Sequence, residues 1–127
     1  MPTSASFDYA VLRVVPRVER QEFLNVGVIV FSRERRFLEA RVEVNDSRLH
    51  ALWPQLDLDH VRQHVEAVVR ICAGAEDAGP IARLSQSERF HWLTSPRSTV
   101  MQTSAVHTGL CDATEGLVER LYLQLVS

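Results

Sequence analysis

A chain of 127 residues, 46% of them apolar, has the size of one domain and enough apolar side chains for one core without disulfide or metal staples. Charged residues make up 24% and the formal net charge is −2. That balance excludes a disordered polyelectrolyte and argues against bulk electrostatic binding of nucleic acid or an anionic membrane.

The run Phe7 to Val15 (FDYAVLRVV) predicts a first strand ended by Pro16, and Arg17 to Gln21 a charged connection. Phe23 to Phe31 (FLNVGVIVF) is apolar on both alternating faces, as in a central strand covered on both sides. After a turn at Ser32 to Arg36, Arg36 to Val44 alternates Leu38, Ala40, Val42 and Val44 with Glu39, Arg41 and Glu43. This predicts a half-exposed strand paired with its predecessor as a hairpin. A short helical turn follows in Asn45 to Pro54. Asp57 is placed to cap a helix reaching about Cys72, with Leu58, Val61, Val65, Val68 and Cys72 as its apolar stripe and Arg62, Glu66 and Arg70 facing water.

Gly74 to Pro80 reads as a loop and Ile81 to Leu84 as one more turn. Ser85 to Pro96 fits either a short helix or an irregular segment. Ser98 to His107, rich in Ser, Thr and Val, predicts a fourth strand. Asp112 with Glu115 resembles a capping box for a final helix whose buried stripe is Leu117, Leu121 and Leu125. The three leading strands are consecutive, with no crossover helices between them. The expected architecture is therefore α+β in a single domain, residues 1–127: an antiparallel sheet of about four strands with helices packed mainly on one face.

The two cysteines make no disulfide framework or zinc motif; Cys72 is expected as a buried small hydrophobe, and Cys111 after a glycine turn. The polar, uncharged start of the chain is no signal peptide, and its apolar runs fall far short of a membrane span, so a cytoplasmic location is expected. All 14 basic residues are arginine, which suits a GC-rich genome and makes every cation a planar fork matched to carboxylate or phosphate.

The densest polar stretch runs from Gln86 to Thr108. Arg97, Ser98 and Thr99, just after Pro96, suit an anion cradle of a guanidinium, two hydroxyls and turn N–H groups. Gln102 lies on the same predicted strand. His107 at its far end is the candidate acid or base, imidazole being the side chain that titrates near neutrality. In the central strand Asn25 needs a hydrogen-bond partner, since an orphaned buried amide costs ~1–3 kcal/mol. Gly27 leaves room for a close approach. Glu22 and Asn25 either adjoin the Arg97 to His107 strand as one polar pocket or serve a bulge or loop.

Each feature has a structural counterpart. Arg97 pairs equally well with Glu88 or another carboxylate, and a His at a strand end is more often structural than catalytic. His91, between Phe90 and Trp92, is expected in the packing. His60 and His64 have i,i+4 spacing, but no carboxylate stands where a zinc hydrolase motif needs one, so neither a metal nor a cofactor is expected. The paired phosphoesterase motif, His followed two residues later by Thr or Ser, is missing. Thr108 and Gly109 follow His107, and Trp92 and Leu93 follow His91.

The segments Tyr9–Arg13 (YAVLR), Glu22–Val28 (EFLNVGV), Glu88–Leu93 (ERFHWL), Pro96–Thr99 (PRST), Gln102–Ser104 (QTS) and Val106–Gly109 (VHTG) resemble an uncharacterised bacterial family catalogued as domain of unknown function 3037. The resemblance spans nearly the whole chain and brings no established activity or site residues. It implies a small bacterial protein whose gene is often found beside a HipA-like kinase, and hence a protein partner or regulatory role. Three functions are thus expected in order. The first is an accessory or binding module presenting Arg97, Ser98, Thr99, Gln102 and His107, with Glu22 and Asn25, to a phosphate-bearing ligand or a partner such as a HipA-like kinase. The second is a small metal-independent phosphoesterase or nuclease using His107. The third is a structural subunit that pairs through its sheet edge.

Overall fold

The computed structural model describes residues 4–97 and 99–127. Five strands form one sheet: β1 (Ala5–Val14), β2 (Leu24–Ser32), β3 (Phe37–Val42), β4 (Met101–Thr103) and β5 (His107–Cys111). Among the described residues four α-helices accompany them: α1 (Asp46–Leu52), α2 (Leu58–Ala73), α3 (Gln86–Leu93) and α4 (Leu117–Leu125). The strand order is β3-β2-β1-β4, β5 also pairs with β1, and all pairings are antiparallel. One edge of β1 is shared, Leu12–Val14 pairing with β4 and Ala5–Tyr9 with β5. The fold is α+β. Among the described residues no helix is long and apolar enough to cross a membrane.

Strand β2 is buried from Val26 to Ser32 because both of its faces are covered. On one side Leu12, Val14, Ile29, Phe31 and Leu38 meet Leu49 of α1, the Val61–Val65–Val68–Cys72 stripe of α2, and Phe90 and Leu93 of α3. The Phe31 and Phe90 rings stack at 5.2 Å, fixing α3 over the end of β2. On the other side Phe7, Val28 and Val30 meet Leu117, Val118 and Tyr122 of α4. Three helices thus share one face, and among the described residues α4 is the helix that covers the other.

The hairpin of β2 and β3 and the capped start of α2 match their local patterns. Asp57 accepts from the His60 N–H, and Gly74 ends α2 at φ +68°, a left-handed conformation that glycine adopts without strain. Gly27 makes the close approach expected of it. A Cβ there would lie 2.7 Å from Val42 Cγ1 and 3.0 Å from the Arg41 carbonyl oxygen. Next to it the register shifts, with Leu12 opposite Gly27 and Arg13 opposite Asn25, so Val26 is the extra residue of a β-bulge.

Two local expectations are corrected and one left open is resolved. The segment Ser98 to His107 is not one strand but β4 and β5 with a corner between them. At that corner the Ser104 hydroxyl accepts the Val11 N–H at 2.8 Å and donates to its neighbour Ala105, so a side chain does the work of the ladder and the strand turns. Asp112 does not cap the final helix. That helix starts after Gly116 at φ +73° without a side-chain cap, while Asp112 accepts from the Ser4 hydroxyl and, through its main-chain oxygen, from Arg35. The capping box lies in the ambiguous segment instead. Ser85 accepts from the Glu88 N–H at 3.2 Å and Glu88 from the Ser85 N–H at 3.3 Å, which makes Gln86–Leu93 a helix.

Candidate functional site

The predicted site residues do not form one site: Arg97 and Gln102 share the lining of one small pocket, while His107, Glu22 and Asn25 lie elsewhere. Arg97 follows α3 on the α2–α3 face. Its guanidinium donates to the main-chain oxygens of Leu93 (3.1 Å) and Trp92 (2.8 Å) and lies over the Trp92 ring at 4.7 Å. These carbonyls lie at a helix end, where the Trp92 oxygen also accepts the Ser95 N–H at 3.5 Å, so two of the cation's N–H groups complete the α3 C-terminus. Ser98 lies outside the described residues. Thr99 donates through its hydroxyl to the Met101 oxygen, and its own oxygen accepts from the Gln102 amide, at 2.9 and 2.8 Å.

His107 begins β5 opposite Tyr9, and the two rings are 5.4 Å apart. Tyr9 packs against the cluster under α4, which puts His107 on the sheet face opposite to Arg97. Among the described residues these two do not line a common cavity. Glu22 is exposed and pairs with Arg20, whose guanidinium holds its carboxyl below the usual carboxylate range. Asn25 donates to the Leu125 main-chain oxygen at 3.0 Å, the backbone partner that its position demanded.

Asn25 and Gln102, the latter already bonded to Thr99, also flank one residue of β1. Arg13 pairs across strands with Asn25 on one side and Gln102 on the other. Its guanidinium lies over the Phe23 ring at 4.2 Å, a cation–π contact, and its Nε is buried without a hydrogen bond among the described residues. The signal was a lone charge within the apolar run Tyr9–Val15. The outer amides in this row are satisfied by main-chain oxygens, so the row acts as a seam between strands.

Arg89 is a second guanidinium claimed by a helix end. It donates to Ile71 and Cys72 oxygens at 2.9 Å each and to Leu84 oxygen at 3.0 Å, closing the C-terminus of α2. Arg89 and Arg97 thus serve helix carbonyls, where cations are stabilised by the helix dipole. Beneath Arg89, burial pushes the Cys72 thiol up to about 12, and Cys111 is buried within β5 rather than following a turn.

A groove of about 580 Å³ runs between α3 and the β1–β2 end of the sheet. Asp8 and Arg33 line one wall, Ser87 and His91 of α3 the other, with Pro96 and Val106 at one end. His91 is exposed here, not packed in the core as expected. It sits one position after buried Phe90, so the helix turns it out of the core beside the groove. Arg33 belongs to none of the ion pairs found among the described residues. Asp8 accepts from the Thr108 hydroxyl at 2.8 Å. The groove therefore offers a cation, an imidazole, a hydroxyl and a carboxylate along its two walls, in the volume range of roughly 300–1,000 Å³ that small-ligand sites occupy. Sequence reasoning passed over Asp8 and Arg33 because they are 25 residues apart and become neighbours only through the β1–β2 pairing, Asp8 standing opposite Phe31.

His60 and His64 are exposed on α2 with rings 5.4 Å apart, and no group of three or more metal-ligating side chains gathers among the described residues. Comparison with the curated proteins and with the solved structures finds no match. The family model described as protein of unknown function DUF3037 matches residues 9–126, nearly the whole chain. The chain belongs to that family.

Proposed function

We propose that this protein is a small accessory binding module that takes a phosphate-bearing ligand in the groove between α3 and the β1–β2 end of the sheet. One observation carries this: Arg33, His91 and Ser87 line the same groove as Asp8, and Arg33 has no carboxylate of its own among the described residues. A guanidinium fork with an imidazole and a hydroxyl suits a phosphate, and a nearby carboxylate accepts from ligand hydroxyls. Arg97, the first choice from sequence, is supplanted by Arg33 because it stands at a smaller pocket whose apolar floor suits a phosphate poorly. The test is calorimetric titration with AMP and with inorganic phosphate. Arg33→Ala should weaken AMP binding by about 1.5–3 kcal/mol, the scale of a lost charge-assisted hydrogen bond. Absence of AMP binding to the unaltered protein, or an unchanged Kd for Arg33→Ala, overturns the proposal. Turnover of AMP that stops in His91→Ala would move the protein to the phosphoesterase class.

A protein partner, of the HipA-like kinase type that the family resemblance suggests, is favoured second. Val106 and Leu110 are 44% and 75% exposed, and among the described residues β5 pairs on one side only, with β1. Such an edge accepts an added strand. Leu110→Arg should abolish co-purification with a recombinant HipA-like kinase; if light scattering instead shows a dimer that this change dissolves, the edge serves self-pairing.

A further inference from the structure

A second pocket lies on the other flank of α3, between α2, α3 and β4, with a volume of about 160 Å³. Its floor is apolar, made by Leu12, Val68, Leu93 and Met101, all buried. His64 and Arg97 stand in the same lining, and none of the residues that line it is acidic. Arg97 uses one N–H of each terminal nitrogen for the carbonyls of Leu93 and Trp92, which leaves further donors on its five-donor fork.

The lining selects a ligand by size and by charge. A cavity of about 150 Å³ with aliphatic walls accommodates one benzene ring. A single guanidinium at an apolar pocket, with no competing carboxylate, favours an anionic head and rejects a cationic one. Phosphate esters suit it poorly, since their polar groups would be buried against aliphatic walls without partners. We infer that this pocket binds a small monocarboxylate whose apolar body is the size of one aromatic ring, the carboxylate on Arg97 and the ring over Val68 and Met101. His64 next to it, exposed on the helix but partly shielded from water, resists protonation because of that partial burial and of the nearby charges of His60 and Arg97. This site is separate from the groove used by the proposed phosphate ligand, and each stands or falls without the other.

Benzoate is the probe, followed by backbone amide chemical shifts of the full chain, with benzamide as its neutral counterpart. Benzoate should shift Leu12, Val68 and Leu93, and benzamide should bind at least about tenfold more weakly. Ala67→Trp, at an exposed α2 position in the lining, should block the pocket and abolish the shifts while the helix persists. Arg97→Gln should weaken benzoate about tenfold or more and Arg97→Lys much less; should Arg97→Gln not fold, the benzamide and Ala67→Trp comparisons decide the question in its place. Absence of benzoate shifts in the unaltered protein, equal binding of benzamide, or shifts that persist in Ala67→Trp would overturn the inference.

Discussion

The side-chain amide of Asn25 donates to the main-chain oxygen of Leu125, 3.0 Å away and 100 residues further along the chain. The bond joins the first residues of β2, beside the bulge, to the last turn of α4, where helix carbonyls have no donor of their own. It ties that helix to the sheet it covers.

Replacing Asn25 by Ala leaves that oxygen without its protein donor. Stability should fall by about 1–2 kcal/mol in urea denaturation, with faster amide exchange confined to the end of α4. Asn25→Asp should be worse, since it sets a carboxylate against a carbonyl. A change within a few tenths of a kcal/mol for both variants would show that the bond does not clamp the helix.

The two arginines at helix ends should differ in weight. Arg89 makes three donations, two of them in a partly buried setting, whereas the Arg97 guanidinium is more exposed and makes two. Arg89→Met keeps the aliphatic stem and should lower stability by roughly 2–3 kcal/mol. Arg97→Met should lower it by roughly 1 kcal/mol or less. Equal thermal shifts for the two would contradict this ordering.

Gly27 stands against the neighbouring strand. Ala at this position drives a methyl into Val42 Cγ1 and the Arg41 carbonyl oxygen, and should cost about 1–3 kcal/mol. The double variant Gly27→Ala, Val42→Ala removes the side-chain clash and leaves the backbone one. A double-mutant cycle should therefore show partial rescue; no coupling at all would place the strain elsewhere.

The pH dependence of stability has a predictable sign at His64. Burial first, then His60 and Arg97, hold its pKa below the ordinary value of 6.5. The folded protein therefore resists a proton that the unfolded chain accepts. Any contribution is absent above neutrality and turns destabilising as pH falls through 6.5, levelling off below the folded pKa. His64→Gln should flatten the loss of stability between about pH 7 and pH 5, before carboxylates dominate. An unchanged slope over that window would remove His64 from the account.

Local chemistry alone determined the hairpin of β2 and β3, the stripe of α2, the Asp57 cap and the need of Asn25 for a partner, because period, cap and desolvation act over a few residues. The Ser85–Glu88 box was equally local, yet no sequence pattern distinguishes it from the Asp112–Glu115 pair. What separates them is that Asp112 is occupied by Ser4 and Arg35, contacts that only the folded sheet supplies. The same holds for the site. A guanidinium binds whichever oxygen is nearest, and tertiary packing put the ends of α2 and α3 beside Arg89 and Arg97 while leaving Arg33 facing the groove. Pairing of β1 with β2 likewise gathered Asp8 and Arg33, and the corner at Ser104 sent His107 to the opposite face, since strand register acts on residues that the chain order keeps apart.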